Sequence, residues 1–166
     1  MSSLLAGKIA VVTGASSGIG RAIAVSFASE GASVMIADLT EQPIEGGEST
    51  LAIIAAAGGT AAFRRTDVGR WEEVDALIGT TVARYGRLDV MVNNAATYSG
   101  TALLETQPAQ WEEVMRVNLT GMFYGCKRAV QQMITQEPRC EVRGRLINLG
   151  SQQGIVTSPG ELPYGV

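Results

Sequence analysis

The sequence predicts an α/β protein: a doubly wound parallel sheet of five strands in the order 3-2-1-4-5, with helices on both faces. Two observations predict it. Short apolar runs rich in β-branched residues alternate with longer stretches of helical period, and a glycine-rich turn, Gly14 to Gly20, joins the first run to the first helical stretch. The composition fits a single domain over residues 1–166, with 46% apolar and 17% charged residues and a mean hydropathy of +0.15.

The elements follow in order. Ile9-Ala10-Val11-Val12-Thr13 reads as a strand buried on both faces, having almost no polar positions. Ile19, Ile23 and Phe27 recur every four residues and Gly31 stops the pattern, which predicts a helix over 18–30. Ser33 to Ala37 is the second strand. Leu51, Ile53, Ile54 and Ala56, bracketed by Gly46-Gly47 and Gly58-Gly59, predict a helix from Gly47 to Ala57. Residues 60–65 suit a third strand, and Trp71, Val74, Leu77, Ile78 and Val82 place a helix over 70–84. Leu88 to Val92 is the fourth strand. After Pro108 a long helix is expected to bury Trp111, Met115, Met122, Cys126, Ala129 and Met133, with Pro138 preventing its continuation. Arg145 to Leu149 is the fifth strand.

Composition narrows the chemistry. With 13 Lys+Arg against 16 Asp+Glu the net charge is −3 and the pI about 5.0, which argues against nucleic acid and anionic membranes as partners. No histidine is present, which removes histidine-based triads and most zinc chemistry, and no metal-ligand cluster is expected. Two cysteines, Cys126 and Cys140, make no disulfide framework and point to a reducing compartment. No basic leader and no run of eighteen apolar residues is visible, so the expected location is cytoplasmic.

Thr13-Gly14-Ala15-Ser16-Ser17-Gly18-Ile19-Gly20 lies between the first strand and its helix. A dinucleotide needs its pyrophosphate close to backbone N–H groups at a helix N-terminus, where the macrodipole favours an anion and a side chain would obstruct. Gly14, Gly18 and Gly20 give that clearance; the alternative is a tight βα turn without a ligand. Asp38, ending the second strand, can accept hydrogen bonds from both hydroxyls of an adenosine ribose, or simply cap the next segment. Ala15, Ser16, Leu39 and Thr40 supply no cation for a 2′-phosphate, which favours NAD over NADP. Asp67-Val68 and Asn93-Asn94-Ala95-Ala96 follow strands three and four, on the same sheet edge, as adenine contacts, loop braces or ordinary Asx turns.

This run of residues, together with Asn118, Ser151 and Tyr164, resembles the short-chain dehydrogenase/reductase family from about Lys8 to the last residue. The resemblance implies a Rossmann-type fold and hydride transfer between NAD(P) and a small alcohol or carbonyl. It implies that Gly14, Ser17, Gly18, Ile19 and Gly20, beside Ser16, hold the pyrophosphate region, and that Asp38 and Leu39 lie at the adenosine ribose. Asp67 and Val68 would meet the adenine; Asn93, Asn94, Ala95 and Ala96 would form the loop beside the cofactor. Ala96 departs from the family's usual glycine. Tyr164 would be the acid/base, Ser151 would orient the substrate oxygen, and Asn118 would hold a kinked helix turn and a water. A free phenol loses its proton near pH 10, so a cation must assist it. The family's lysine would fall at position 168, whereas the sequence ends at Val166, so the expectation is a fragment of a longer protein, inactive by itself. Apolar surface on the helix around 108–135 would then favour a homo-oligomer. The alternative is a non-catalytic dinucleotide-binding module, or a truncated relative acting by association.

Overall fold

In the computed structural model, residues 3–139, 141–156 and 160–165 are described. Strand β1, Ile9–Thr13, is buried at all five positions and forms the middle of the sheet. On one side it pairs with β2, Ser33–Asp38, and β2 with β3, Thr60–Arg65; on the other it pairs with β4, Val90–Asn93, and β4 with β6, Arg145–Asn148. All four pairings are parallel, in the expected order. The chain winds outward in both directions from β1, so a crevice opens at the carboxyl end of β1, beside β4.

Period-two alternation explains why these strands carry so few polar residues. Ala10, Val12, Val34, Ile36 and Val92 pack on one face against α1, Gly18–Ser29, and α2, Thr50–Ala56. Val11, Met35 and Met91 point the other way, towards Leu77 and Ile78 of α3, Trp71–Tyr85, and Ala129 and Met133 of α5, Gly121–Met133. The buried Gln136 amide pairs with both Leu88 N–H and Leu88 C=O, which occupies Leu88 in place of strand pairing, so β4 starts later than the apolar run.

Three helix readings need correction. Helix α2 begins at Thr50, not Gly47, because Gly46 and Gly47 have φ of +77° and +85°, and the Ser49 side chain instead caps the helix by accepting from Ala52 N–H. The long helix is three contiguous pieces: α4, Pro108–Val114, a π-helical turn over Met115–Thr120, and α5. Its buried face is the expected one only at Ala129 and Met133. Gly121, Gly125, Ala129 and Met133 are buried, whereas Trp111 is exposed and Met115, Met122 and Cys126 are half-buried. Small residues win these positions because α5 lies so near the sheet: a Cβ on Gly125 would strike Asn93 Oδ1 and Met91, and one on Gly121 would come within 2.8 Å of Val68.

An antiparallel ribbon that the sequence does not announce joins β5, Gly100–Thr101, to β7, Leu162–Pro163. Strand β6 is exposed along its length, Leu146 and Ile147 included. No helix among the described residues is long and apolar enough to cross a membrane. Cys140 lies outside the described residues.

Candidate functional site

The crevice beyond β1 and β4 is a cleft of about 440 Å³. Its floor is the glycine turn. Gly14 has φ +64° and Gly18 +51°, a region in which residues with a Cβ are strained. The two glycines differ in surroundings. A Cβ on Gly14 would lie 2.9 Å from both Ala95 Cα and Asn94 Nδ2, whereas one on Gly18 would meet only open space. A side chain on Gly20 would run into the Gly14 carbonyl and the Asn94 amide. Gly14 and Gly20 thus let the turn close on the loop after β4, and Gly18 keeps the head of α1 clear of any side chain of its own.

Thr13 and Asn94 lock that closure. Thr13 Oγ1 donates to Val92 C=O and accepts from the N–H groups of Asn94 and Ala95, at 3.0 and 3.1 Å. The Asn94 side chain donates to the carbonyls of Thr13 and Gly14, at 2.8 and 3.2 Å. Of the roles the sequence leaves open for Asn94, its amide performs the brace.

Asp38 stands at the end of β2 with both carboxylate oxygens anchored, Oδ2 by Ser16 N–H at 3.0 Å and Oδ1 by Leu39 N–H at 2.8 Å. Asp67 is held more firmly. Arg116, in the π-helical turn, donates from Nη1 to its two oxygens at 2.8 and 2.9 Å, and Gly69 N–H adds a third bond at 2.9 Å. Burial works against ionisation of Asp67, but these bonds outweigh it and hold the carboxyl below the usual range. Glu113 takes the other edge of the guanidinium through Nε and Nη2, both at 2.8 Å. It is lowered in turn by Arg116, and Glu113 and Asp67 together raise Arg116 above its ordinary value.

Most of the expected cofactor residues share this cleft. Gly14, Ser17, Gly18, Ile19 and Gly20 line one wall, Asp38 and Leu39 a second, and Asp67, Val68, Asn94, Ala95 and Ala96 the rest. Ser16 does not line it: it is buried behind the wall, its hydroxyl donating to Thr40 C=O at 2.6 Å. Asn93 is also buried and turns its amide towards Asn148 Oδ1, 2.8 Å, and Cys126 Sγ. Thr66, Thr97, Ile44, Glu113, Arg116 and Val117 line the cleft without having been singled out in the sequence.

The three expected catalytic residues lie outside the cleft lining. Asn118 sits in the π-helical turn with its amide closed on the Thr97 backbone, accepting at 2.8 Å and donating at 2.9 Å. Ser151 is exposed after β6, where its hydroxyl accepts from Gln153 N–H at 3.2 Å. Tyr164 follows β7, and its half-buried ring meets Tyr98 edge-on with centroids 5.6 Å apart. The β5–β7 ribbon makes that meeting, tying the Tyr164 segment to the loop after β4.

Known proteins share the sequence pattern and the fold. The chain is 37% identical over 160 residues to a 3-oxoacyl-[acyl-carrier-protein] reductase of Synechocystis, covering 96% of this chain and 62% of that protein. It is 37% identical over 160 residues to 3beta-hydroxysteroid dehydrogenase 1 of Eggerthella lenta, covering 96% and 59%. A crystal structure from Burkholderia xenovorans, assigned to the short-chain dehydrogenases/reductases, superposes with a TM-score of 0.86 at 36% identity, covering 97% of this chain and 63% of that one. The chain therefore spans about 60% of the length of the curated relatives it matches. The sequence profile described as short chain dehydrogenase matches residues 8–166, and the chain belongs to that family of oxidoreductases.

Proposed function

We propose that the cleft holds NAD and that the whole protein transfers hydride between this nucleotide and a small alcohol or carbonyl compound, with Tyr164 as acid/base. The observation that carries the reading is the convergence of the head of α1, the glycine turn and the anchored Asp38 carboxylate on one cleft. These residues fit a dinucleotide. Backbone N–H groups at the start of a 12-residue helix suit a diphosphate. Asp38 retains lone pairs for ribose hydroxyls, and a 2′-phosphate would face it as a like charge. The names of the two relatives above, a reductase of a 3-oxo compound and a hydroxysteroid dehydrogenase, support an alcohol–carbonyl pair.

When bound, the nicotinamide supplies the hydride acceptor or donor. The chain's own residues do the rest. The Tyr164 hydroxyl takes the alcohol proton as the carbonyl forms, or returns it in the opposite direction. Ser151 donates to the substrate oxygen and orients it. Asn118, through its two bonds to the Thr97 backbone, keeps the π-helical turn fixed to the loop after β4. Neither lysine of the chain follows Tyr164, and Lys127 Nζ lies over the Trp71 and Phe123 rings, at 5.2 and 5.7 Å. Residues 1–166 alone are therefore expected to bind nucleotide without turning over. An exposed apolar stripe of Leu119, Phe123, Val130 and Ile134 supports self-association through the helix around 108–135.

Two measurements test the reading. Calorimetric titration of the 166-residue chain should detect NAD more tightly than NADP; the reverse order overturns the Asp38 argument. In the longest natural polypeptide, Tyr164→Phe should abolish nearly all turnover with NAD binding retained. Turnover close to the unaltered protein would defeat the acid/base assignment.

A further inference from the structure

We propose that Glu45 is an affinity-determining residue of the nucleotide site, an internal anion that holds the diphosphate seat and has to leave before a nucleotide can settle. The proposal rests on the nucleotide reading given above. Gly18 N–H, the first amide of α1, donates to Glu45 Oε1 at 3.0 Å. The Ser17 hydroxyl accepts from Ile44 N–H at 2.8 Å. Arg21, one turn into the helix, stands 3.8 Å from the same Glu45 oxygen and donates to the Glu48 carbonyl at 2.6 Å. A helix-head amide, a serine hydroxyl and a guanidinium are the groups an anion would use there, and residues 44–48 engage all three.

A carboxylate oxygen and a phosphate oxygen take the same donor in the same place, so Gly18 N–H cannot serve both. The Glu45 carboxyl is held below its ordinary range, first by the Gly18 bond, and so keeps the charge that would face an arriving diphosphate. The segment can swing aside with little loss of packing. Ile44 is 92% exposed, and Gly46 and Gly47 have positive φ with nothing within 4 Å of where a Cβ would sit. Its ends are fixed: Pro43 is buried, and the buried Thr50 hydroxyl donates to Ala15 C=O at 2.9 Å. The hinge therefore lies between two anchors, next to the residue that must move.

The test is calorimetric titration of the 166-residue chain, its Glu45→Gln variant and its Glu48→Gln variant, with ADP and with adenosine, at 0.15 M salt. Glu45→Gln is isosteric and on the surface, so folding is retained. It should bind ADP about three- to tenfold more tightly while adenosine, which has no phosphate, binds unchanged. Glu48→Gln removes an equal charge from an exposed side chain whose carboxylate makes no hydrogen bond or ion pair among the described residues, and should leave ADP affinity within about twofold, since exposed charges are screened over about 8 Å. Equal ADP affinity for the unaltered chain and Glu45→Gln overturns this inference alone, as does an equal gain in Glu48→Gln. Absence of ADP binding by all three chains overturns the nucleotide reading and this inference with it.

Discussion

Arg116 grips both carboxylate oxygens of Asp67, at 2.8 and 2.9 Å, across 49 residues of sequence. The pair ties the π-helical turn to the loop after β3 and sets one wall of the cleft. A Cβ on Gly69 would run into the guanidinium, so the arginine lies flat against that loop.

The pair gives a pH-dependent stability whose sign follows from the depressed Asp67 value. Its contribution is complete above the unfolded carboxyl pKa, about 3.9, and is lost as pH falls through the lower folded value. Arg116→Ala should cost about 1 kcal/mol at pH 7, a modest figure because the guanidinium is partly exposed. Urea unfolding should show that gap constant between pH 7 and pH 5 and closing below about pH 4. A gap that widens on acidification would contradict the assignment.

Two helical glycines should respond to alanine with opposite signs. Glycine to alanine in an open helix position stabilises by about 1 kcal/mol, and Gly79 in α3 has nothing within 4 Å of the new methyl. Gly79→Ala should therefore raise the denaturation midpoint. At Gly125 the same methyl meets Asn93 Oδ1 and lies 3.0 Å from Met91, and overpacking of about 1–3 kcal/mol outweighs the propensity gain. Gly125→Ala should lower the midpoint.

Within the turn, Gly14→Ala and Gly18→Ala separate folding from binding. Both adopt a backbone that costs a side chain about 1–2 kcal/mol. Gly14→Ala adds a contact of 2.9 Å with backbone, so it should be the more destabilised of the two in thermal unfolding. Gly18→Ala should remain folded and lose at least about tenfold in NAD affinity, because its methyl enters the space kept open over α1.

Thr13→Val tests the brace between turn and loop. The substitution keeps the buried shape and removes the acceptor of two N–H groups, which costs about 1–3 kcal/mol. Faster amide exchange should be confined first to Asn94 and Ala95.

The residues differ in how far their roles can be read from sequence. Ile9 to Thr13 is legible because a strand covered on both faces needs an unbroken apolar run, and the glycine turn is legible because strand, turn and helix surround it. The buried face of α5 is not, since Gly121 and Gly125 carry no hydrophobic signal and are selected by the nearness of Val68 and Asn93. Asp67 stands out by its place after a strand, but Arg116 and Glu113 acquire their role only when the helix folds over that loop. Ser16 shares the turn with Ser17 yet points inward, a direction set by backbone dihedrals that spacing does not encode. The β5–β7 ribbon has two residues per strand, too few for any alternation to register.

That ribbon couples two parts of the chain that sequence keeps 61 residues apart, as the Thr101–Leu162 pairing marks. A substitution that reshapes residues 97–106 shifts the backbone carrying Tyr164 as well, through Gly100 and Thr101 and through the Tyr98 ring. The two segments consequently move as one body: whatever displaces the Tyr98 loop carries the Tyr164 ring with it.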